Sequence, residues 1–354
     1  PTILLRRKTT LLGSAAVAAA LMAAAATLAA PPTEVRPPRL EATIVVDGVL
    51  DEPVWSQAAV LRGFSSYFPV DGRPAPDSTE VLVWYSPTAI HFGVRAFARP
   101  SEIRATLSPR DHLDQDDVVS IFLSTFNDGR QAYQFASNPL GVQLDGVLVE
   151  TGIATGGTFL GGITGGRQAA DPSPDFVYRS KGRLTGDGFE IEMEIPFKSI
   201  RYQPSAEQSW GIHVERIHRA TGAVSSWMPA KRDAPSYLGQ AGVLGGLTEL
   251  RRGLVLDVSP VVTSSVEGRP GPDSKWSYQG GSPRFGADVR WGVTTDLTAN
   301  ATVRPDFSQV EADAGQVSFD PRSELFFSEK RPFFLEGAEL FDSPGANLIY
   351  TRRI

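Results

Sequence analysis

The chain has 354 residues, 41% of them hydrophobic and 21% charged, with a formal net charge of −6. That length allows about two domains and that balance supports a buried core, which excludes a globally disordered chain. The acidic balance, with no Lys/Arg run longer than Arg6-Arg7-Lys8, argues against a nucleic-acid partner, and the absence of cysteine removes disulfides, thiolate metal sites and cysteine nucleophiles together.

Residues 1–29 have the layout of an export signal. Arg6-Arg7-Lys8 form a positive n-region, Leu11 to Leu28 an Ala/Leu-rich h-region, and Thr27-Leu28-Ala29 place small residues at −3 and −1 of a cleavage site. A membrane anchor is the alternative, and the arginine pair leaves twin-arginine export open. Export to the periplasm or outer membrane is therefore expected. The chain opens on Pro1 and stops at Ile354, so a longer parent sequence is also expected.

Residues 30–38 read as a Pro-rich linker (PPTEVRPP from Pro31), poor in core residues. From 39 to 250, short alternating runs are separated by Gly, Pro, Asp and Asn, which predicts an antiparallel β-sandwich. Glu52–Leu61 carries a short helical signal. Glu80–Phe97 reads as two strands around Ser86-Pro87-Thr88. Asp117–Phe126 turns through Asn127-Asp128-Gly129-Arg130 into Ala132–Ser137, and Gly182–Leu184 pairs with Gly188–Phe197. Ser209–His218 and Gly222–Met228 follow, and Thr151–Gly166, uncharged and Gly-rich, reads as a surface loop.

Past Leu250 the alternating runs lengthen. In Arg284–Val303, Phe285, Ala287, Val289 and Trp291 share one face, while Gly286, Asp288 and Arg290 share the other. Ten-residue alternation with an aromatic near one end is the pattern of transmembrane β-barrel strands, although a soluble sandwich strand would look similar. Residues 251–354 are accordingly expected to be the initial strands of such a barrel.

Four ordered motifs carry a resemblance. Val46-Asp47-Gly48-Val49-Leu50-Asp51-Glu52-Pro53-Val54-Trp55-Ser56-Gln57-Ala58 is similar to the opening signature of family 9 carbohydrate-binding modules. Asp116–Phe122, Gln134–Gly141 and Gly188–Phe197 resemble that family's acidic strand, its F-x-x-N-x-x-G strand-turn and its G-W-x-x-E-x-x-I-P-F strand, with Phe189 replacing the Trp. Further on, Arg304–Asp313 and Glu324–Gly337 are similar to a family known as domain of unknown function 5916, in which a family 9-like module precedes an outer-membrane barrel. Within the second of these, Glu329–Phe334 would be a turn or plug element, with a salt-bridged structural role as the plainer reading.

The resemblance implies glycan binding by aromatic stacking and, as an option, structural calcium. Of the tryptophans, Trp55 and Trp84 read as core. Trp227 and Trp210, with Tyr237 and Arg232, are the candidate ligand-binding residues, core packing being the competing reading for each tryptophan. No tryptophan pair clearly matches the clamp of sugar-gripping family members. Asp114, Asp116 and Asp117 are the candidate calcium ligands, against the ordinary use of acidic residues in turns.

Catalysis has one foothold. Glu190, Glu192 and Glu194 alternate with apolar residues, so neighbouring carboxylates stand about 6.6 Å apart on one face, close to the separation of an inverting glycosidase. Any E-x-E strand has that spacing, and no catalytic residue is assigned. The scattered histidines (His91, His112, His213, His218) make no zinc motif. Three functions remain: an envelope glycan-binding protein linked to a barrel, a glycoside hydrolase or its accessory module, and a structural envelope protein without ligand.

Overall fold

The computed structural model of the chain describes residues 33–150, 169–172, 174–264, 266–271, 275–294 and 297–304, with backbone alone for 267, 342–343 and 346–347. The expected signal segment, the 151–166 loop and the motifs beyond Arg304 lie outside the described residues. Apart from single 3-10 turns, the described residues are all β, and no helix among them is long and apolar enough to cross a membrane.

Two sheets form the sandwich. The larger runs β1 (Glu34–Val35), β13 (Gly242–Thr248), β11 (Glu207–His218), β6 (Val118–Ser124), β7 (Gln131–Ser137) and β8 (Gln143–Val149). On it, β12 (Ala223–Ser226) joins β11 to β3 (Ser65–Phe68). The smaller runs β2 (Ala59–Leu61), β4 (Thr79–Tyr85), β5 (Ala89–Phe97), β10 (Gly188–Pro196) and β9 (Arg179–Leu184). All named pairings within them are antiparallel except β1 with β13.

Period-2 patterning places the core. Phe189, Ile191, Met193 and Ile195 of β10 meet Val119, Ile121 and Leu123 of β6 and Trp210, Ile212 and Val214 of β11 between the sheets. Both outer faces are also partly covered. Tyr67, Leu113, Phe122, Tyr237 and Leu238 pack outside the large sheet, and Leu50, Val54, Trp55, Leu82 and Trp84 outside the small one. These outer layers explain why several strands are apolar on both faces rather than alternating.

Two boundaries differ from the sequence reading. The sandwich starts inside the stretch read as a linker, because Glu34 and Val35 pair with Val243 and Leu244. Thr33 to Arg36, between Pro32 and Pro37, keep their amides, enough for a two-residue parallel edge strand at Glu34 and Val35. The helical signal at 52–61 becomes a 3-10 turn, Pro53–Gln57, followed directly by β2, since Pro53 starts a turn but Ala59-Val60-Leu61 finds a strand partner in β4.

Beyond Leu250 a three-stranded antiparallel sheet forms from β14 (Val255–Thr263), β17 (Arg284–Gly292) and β18 (Thr298–Val303). Arg284–Val303, read as one long run, is split by a turn in which the Val293 amide donates to the Leu297 carbonyl at 2.9 Å. A two-stranded ladder of β15 (Val266–Pro270) and β16 (Trp276–Gly280), not anticipated from sequence, lies between β14 and β17 in the chain. The described strands make an open sheet.

Candidate functional site

The four family 9-like motifs meet in pairs, and their chemistry is structural. Gly48 sits at φ +89°, which turns the Asp47 and Gly48 amides together onto Glu192 Oε2 at 2.9 and 2.8 Å. Trp55 Nε1 donates to Glu192 Oε1 at 3.2 Å and to Glu52 Oε2 at 3.0 Å. The Trp55 ring lies over Gly93, where an added Cβ would stand 2.9 Å from its Cζ3 and 2.7 Å from Leu50 Cδ2. The opening signature and the G-F-x-x-E strand are thus two halves of one latch, closed on a fully buried carboxylate. Burial pushes that carboxyl up to about 7, opposed by the two amide bonds and reinforced by the nearby acidic groups Glu52 and Asp47.

The other two motifs join at Asn138. Its Nδ2 donates to Asp116 Oδ2 at 2.7 Å and to the Thr106 carbonyl at 2.8 Å, while its Oδ1 accepts the Leu140 and Val142 amides. Thr106 Oγ1 donates to Asp116 as well, at 3.0 Å. Gly141 follows at φ +85°, with room for no Cβ beside Lys181 Cα, 2.7 Å away. Every hydrogen-bonding group of Asn138 is therefore used to fix a turn.

This geometry corrects the calcium assignment. Asp116 is buried and saturated by Thr106 and Asn138, whereas Asp117, buried too, accepts the Arg219 amide at 2.7 Å. Burial raises the Asp117 carboxyl, with that amide bond working against it. Asp116 and Asp117 lie just before β6 and are held by different partners, Asp114 is partly exposed, and the three do not form a converging group among the described residues. A different trio does: Asp111, Asp145 and Asp175 bring carboxylate oxygens within 4.8 Å of one another. Arg110 already supplies their cation. Its guanidinium bonds Asp145 Oδ1 through Nε at 2.9 Å and through its terminal nitrogen, and stands 3.5 Å from Asp175. Asp145 is buried, which lifts its carboxyl to about 6 against the Phe176 amide bond and the Arg110 charge.

Three of the four predicted ligand-binding residues belong to the core, a correction with one physical cause. An aromatic face already packed on protein has no face for a sugar. Trp210 is 0% exposed, with Phe197 and Tyr202 against it at 6.0 and 5.7 Å between centroids. Trp227 is buried, and its Cζ3 would lie 2.5 Å from a Cβ at Gly242. Tyr237 stacks on His213 at 4.1 Å and donates its hydroxyl to Glu215 at 2.8 Å. Arg232 alone is exposed, with Cζ 5.5 Å above the Phe68 ring. Trp55 and Trp84 are core, as read, in an edge-to-face pair at 6.1 Å.

The carboxylate row on β10 is likewise committed. Glu190 pairs with Arg95 at 3.2 Å and Arg183 at 2.8 Å, and Glu194 pairs with Arg179. Glu192 between them is sealed under Gly48 and Trp55, so no two neighbouring acids of the row are open to solvent together.

A separate surface stands out in the β14–β17–β18 sheet. Directly opposed residues share a face, and the pairs Leu256–Trp291, Val258–Val289, Pro260–Ala287 and Val262–Phe285 put only apolar side chains on one side. Ala299, Ala301 and Val303 of β18 extend that face. The reverse face carries Asp257–Arg290, Ser259–Asp288 and Thr263–Arg284. The apolar side is exposed, Val262 and Phe285 at 63% and 66%, and on the reverse side Asp257, Ser259 and Arg284 are exposed as well.

Residues 254–354 match the model of a family described as Domain of unknown function (DUF5916), which agrees with the motifs at 304–313 and 324–337. No curated protein matches the chain. Three solved structures are similar in outline. A family 9 carbohydrate-binding module from Caldicellulosiruptor kristjanssonii, solved with cellotriose, is 12% identical over 60% of this chain and 93% of its own, with a TM-score of 0.39. A structure of a family 9 module from the same organism with glucose is 13% identical over 60% of this chain and 95% of its own, again at 0.39. A Bacteroides uniformis ATCC 8492 protein, provisionally described as carbohydrate-binding, is 13% identical over 60% of this chain and 99% of its own, at 0.45.

Proposed function

We propose that this chain is an exported envelope protein whose β-sandwich recognises glycans and whose C-terminal sheet is embedded in the outer membrane. One observation carries the membrane part. The β14–β17–β18 sheet has one apolar face that is largely exposed, backed by a face carrying Asp257, Arg290, Ser259, Asp288, Thr263 and Arg284. A hydrocarbon environment makes that exposed apolar face favourable, because each Val, Leu, Phe or Trp side chain gains about 1.5–3 kcal/mol when fully taken out of water. The signal-like residues 1–29 support export.

The glycan part rests on the four ordered motifs resembling family 9 modules and on the one predicted ligand residue left at the surface, Arg232. Fractionation of cells expressing the full chain, with alkaline carbonate washing, tests the membrane reading: recovery in the wash refutes it. A glycan array probed with the detergent-solubilised protein tests the other part. Binding that weakens in Arg232→Ala supports it, and no binding to any glycan, with or without calcium, overturns it in favour of a structural envelope protein.

A further inference from the structure

The two faces of the large sheet differ in chemistry. At its centre the inner face is apolar, with Val119, Ile121 and Leu123 beside Ile212 and Val214. The outer face is not. Directly opposed side chains share a face, and two rows run across the strands there: Ser226, Glu215 and Ser120, then His213, Phe122 and Gln134. All but Phe122 are polar, yet none of the six is more than 3% exposed. Gln134 Nε2 donates to Ser120 Oγ at 3.1 Å, while the buried Ser226 Oγ has no hydrogen-bond partner among the described residues. A face covered for good is ordinarily apolar, because a polar group is costly to bury unless it finds a partner.

The cover is a strap, residues 227–241, that joins β12 to β13. Much of it lies at the surface, Pro229, Lys231, Arg232, Asp233, Pro235 and Gly239 being exposed. Gln240 stitches it into one body: its side chain accepts the Lys231 amide at 2.7 Å and donates to the Lys231 and Ser236 carbonyls. Two carboxylates from other elements fasten it down. Glu150, just past β8, accepts the Tyr237 and Leu238 amides at 2.7 and 2.9 Å and the Ser236 hydroxyl at 2.5 Å. Asp71 accepts the Arg232 amide at 3.0 Å.

From this strap Tyr237 reaches down onto the polar rows. Its ring stacks on His213 with 4.1 Å between centroids and 16° between planes, and meets Tyr67 and Phe122 edge-on at 5.5 and 6.1 Å. Its hydroxyl donates to Glu215 Oε1 at 2.8 Å. A six-membered ring between aromatic walls, with a hydroxyl on a carboxylate, is also how a pocket holds a pyranose.

Resting on the glycan reading above, we propose that the outer face of the large sheet is the glycan site and that Tyr237 occupies it while the strap is closed. With the strap lifted, Tyr67 and Phe122 meet sugar C–H groups, and Glu215, Gln134 and Ser226 reach hydroxyls. The ligand is a neutral pyranose unit, because the carboxylate of a uronate would enter beside Glu215 and be repelled. Arg232 belongs to the strap, so a glycan that engages it bears on the cover directly. Apparent affinity for a covered site is reduced by the fraction of molecules in which it is open, so loosening the cover tightens binding.

The full-length protein in detergent is applied to arrays of neutral and uronate-containing oligosaccharides as wild type, Tyr237→Ala, Glu150→Ala, and Tyr237→Ala combined with Gln134→Leu. Tyr237→Ala empties the socket, whereas Glu150→Ala frees the strap and leaves the socket intact, so either one is informative without the other. Both single variants should bind neutral oligosaccharides about tenfold or more tighter than wild type, the gain expected where the open form is about a tenth of molecules or fewer. Gln134→Leu should abolish that gain. In the wild type, hydrogen exchange at the Tyr237 and Leu238 amides should quicken when the tightest neutral oligosaccharide of the array is added. If folded variants gain no affinity, or gain it only for uronates, or if that exchange is unchanged, the self-occupied site is overturned; wild-type binding that depends on Arg232 then leaves the glycan reading standing. Absence of binding by wild type and variants alike overturns both.

Discussion

The buried Glu192 makes a prediction whose sign and size can be worked out. Its carboxyl ionises near 4.5 in the unfolded chain and about 7 in the fold, where burial disfavours the charge. Between those values the folded state holds more protons than the unfolded one, so stability falls as pH rises through that window and is flat above it. A shift of that size corresponds to about 3 kcal/mol at about 1.36 kcal/mol per unit. Other buried acids contribute to the wild-type slope, Asp145 among them, so the measurement is a difference. Glu192→Gln keeps the shape and one oxygen for the Asp47 and Gly48 amides, but turns an N–H towards Trp55 Nε1, which also donates. That donor–donor contact costs about 1–3 kcal/mol. The stability difference, wild type minus variant, is therefore most positive below about pH 4.5, where the carboxyl is neutral in both the folded and the unfolded chain, and it falls by about 3 kcal/mol by about pH 8, to near zero or below. Denaturant unfolding of the two proteins, followed by tryptophan fluorescence, reads the gap at each pH. A gap that does not change between pH 5 and pH 8 refutes the latch as a titrating group.

Four further outcomes follow from the same geometry. Asn138→Ala leaves the Leu140 and Val142 amides and Asp116 without their partner and should cost about 2–4 kcal/mol in unfolding free energy, whereas Arg232→Ala should leave stability unchanged. Gly93→Ala drives a methyl into Leu50 and Trp55 and should destabilise by about 1–3 kcal/mol, with a shift in Trp55 emission; Gly186→Ala, in open space, is the control. Arg110→Ala removes the cation among three carboxylates and should cost about 3 kcal/mol at pH 7, with part of the loss recovered near pH 5 as Asp145 takes a proton. On the exposed apolar face of the β14–β17–β18 sheet, Val258→Arg should lower folding free energy in lipid by up to about 2–4 kcal/mol, whereas Ser259→Arg on the reverse face should change it little; equal costs in a vesicle refolding titration would contradict the membrane reading.

Local pattern was enough for the all-β architecture. Alternation in Gly188–Phe197 requires one face in the core, and the Ser86-Pro87-Thr88 break requires two strands where it falls. It was enough, too, for the two faces of Arg284–Gly292, because side chains on a strand alternate whatever the strand packs against. The sequence also contained Asp47-Gly48, Trp55, Asp116, Asn138 and Glu192 as separate motifs, with nothing local to say what they were for. Glu192 meets Gly48 across 144 residues, and Asp116 meets Asn138 across 22; only the tertiary fold could turn apparent ligand-site acids into hydrogen-bonded supports. Gly93, a glycine in mid-strand, was the one local hint of the latch. The aromatic assignments failed for a related reason. A tryptophan near a strand end reads the same whether its face meets solvent or Gly242, and burial is decided by the strand that lies opposite. Exposure on the C-terminal sheet was equally beyond one-dimensional reading: alternation separates an apolar face from a polar one, but whether either is covered depends on what packs against it, and in the fold residues of both faces are exposed.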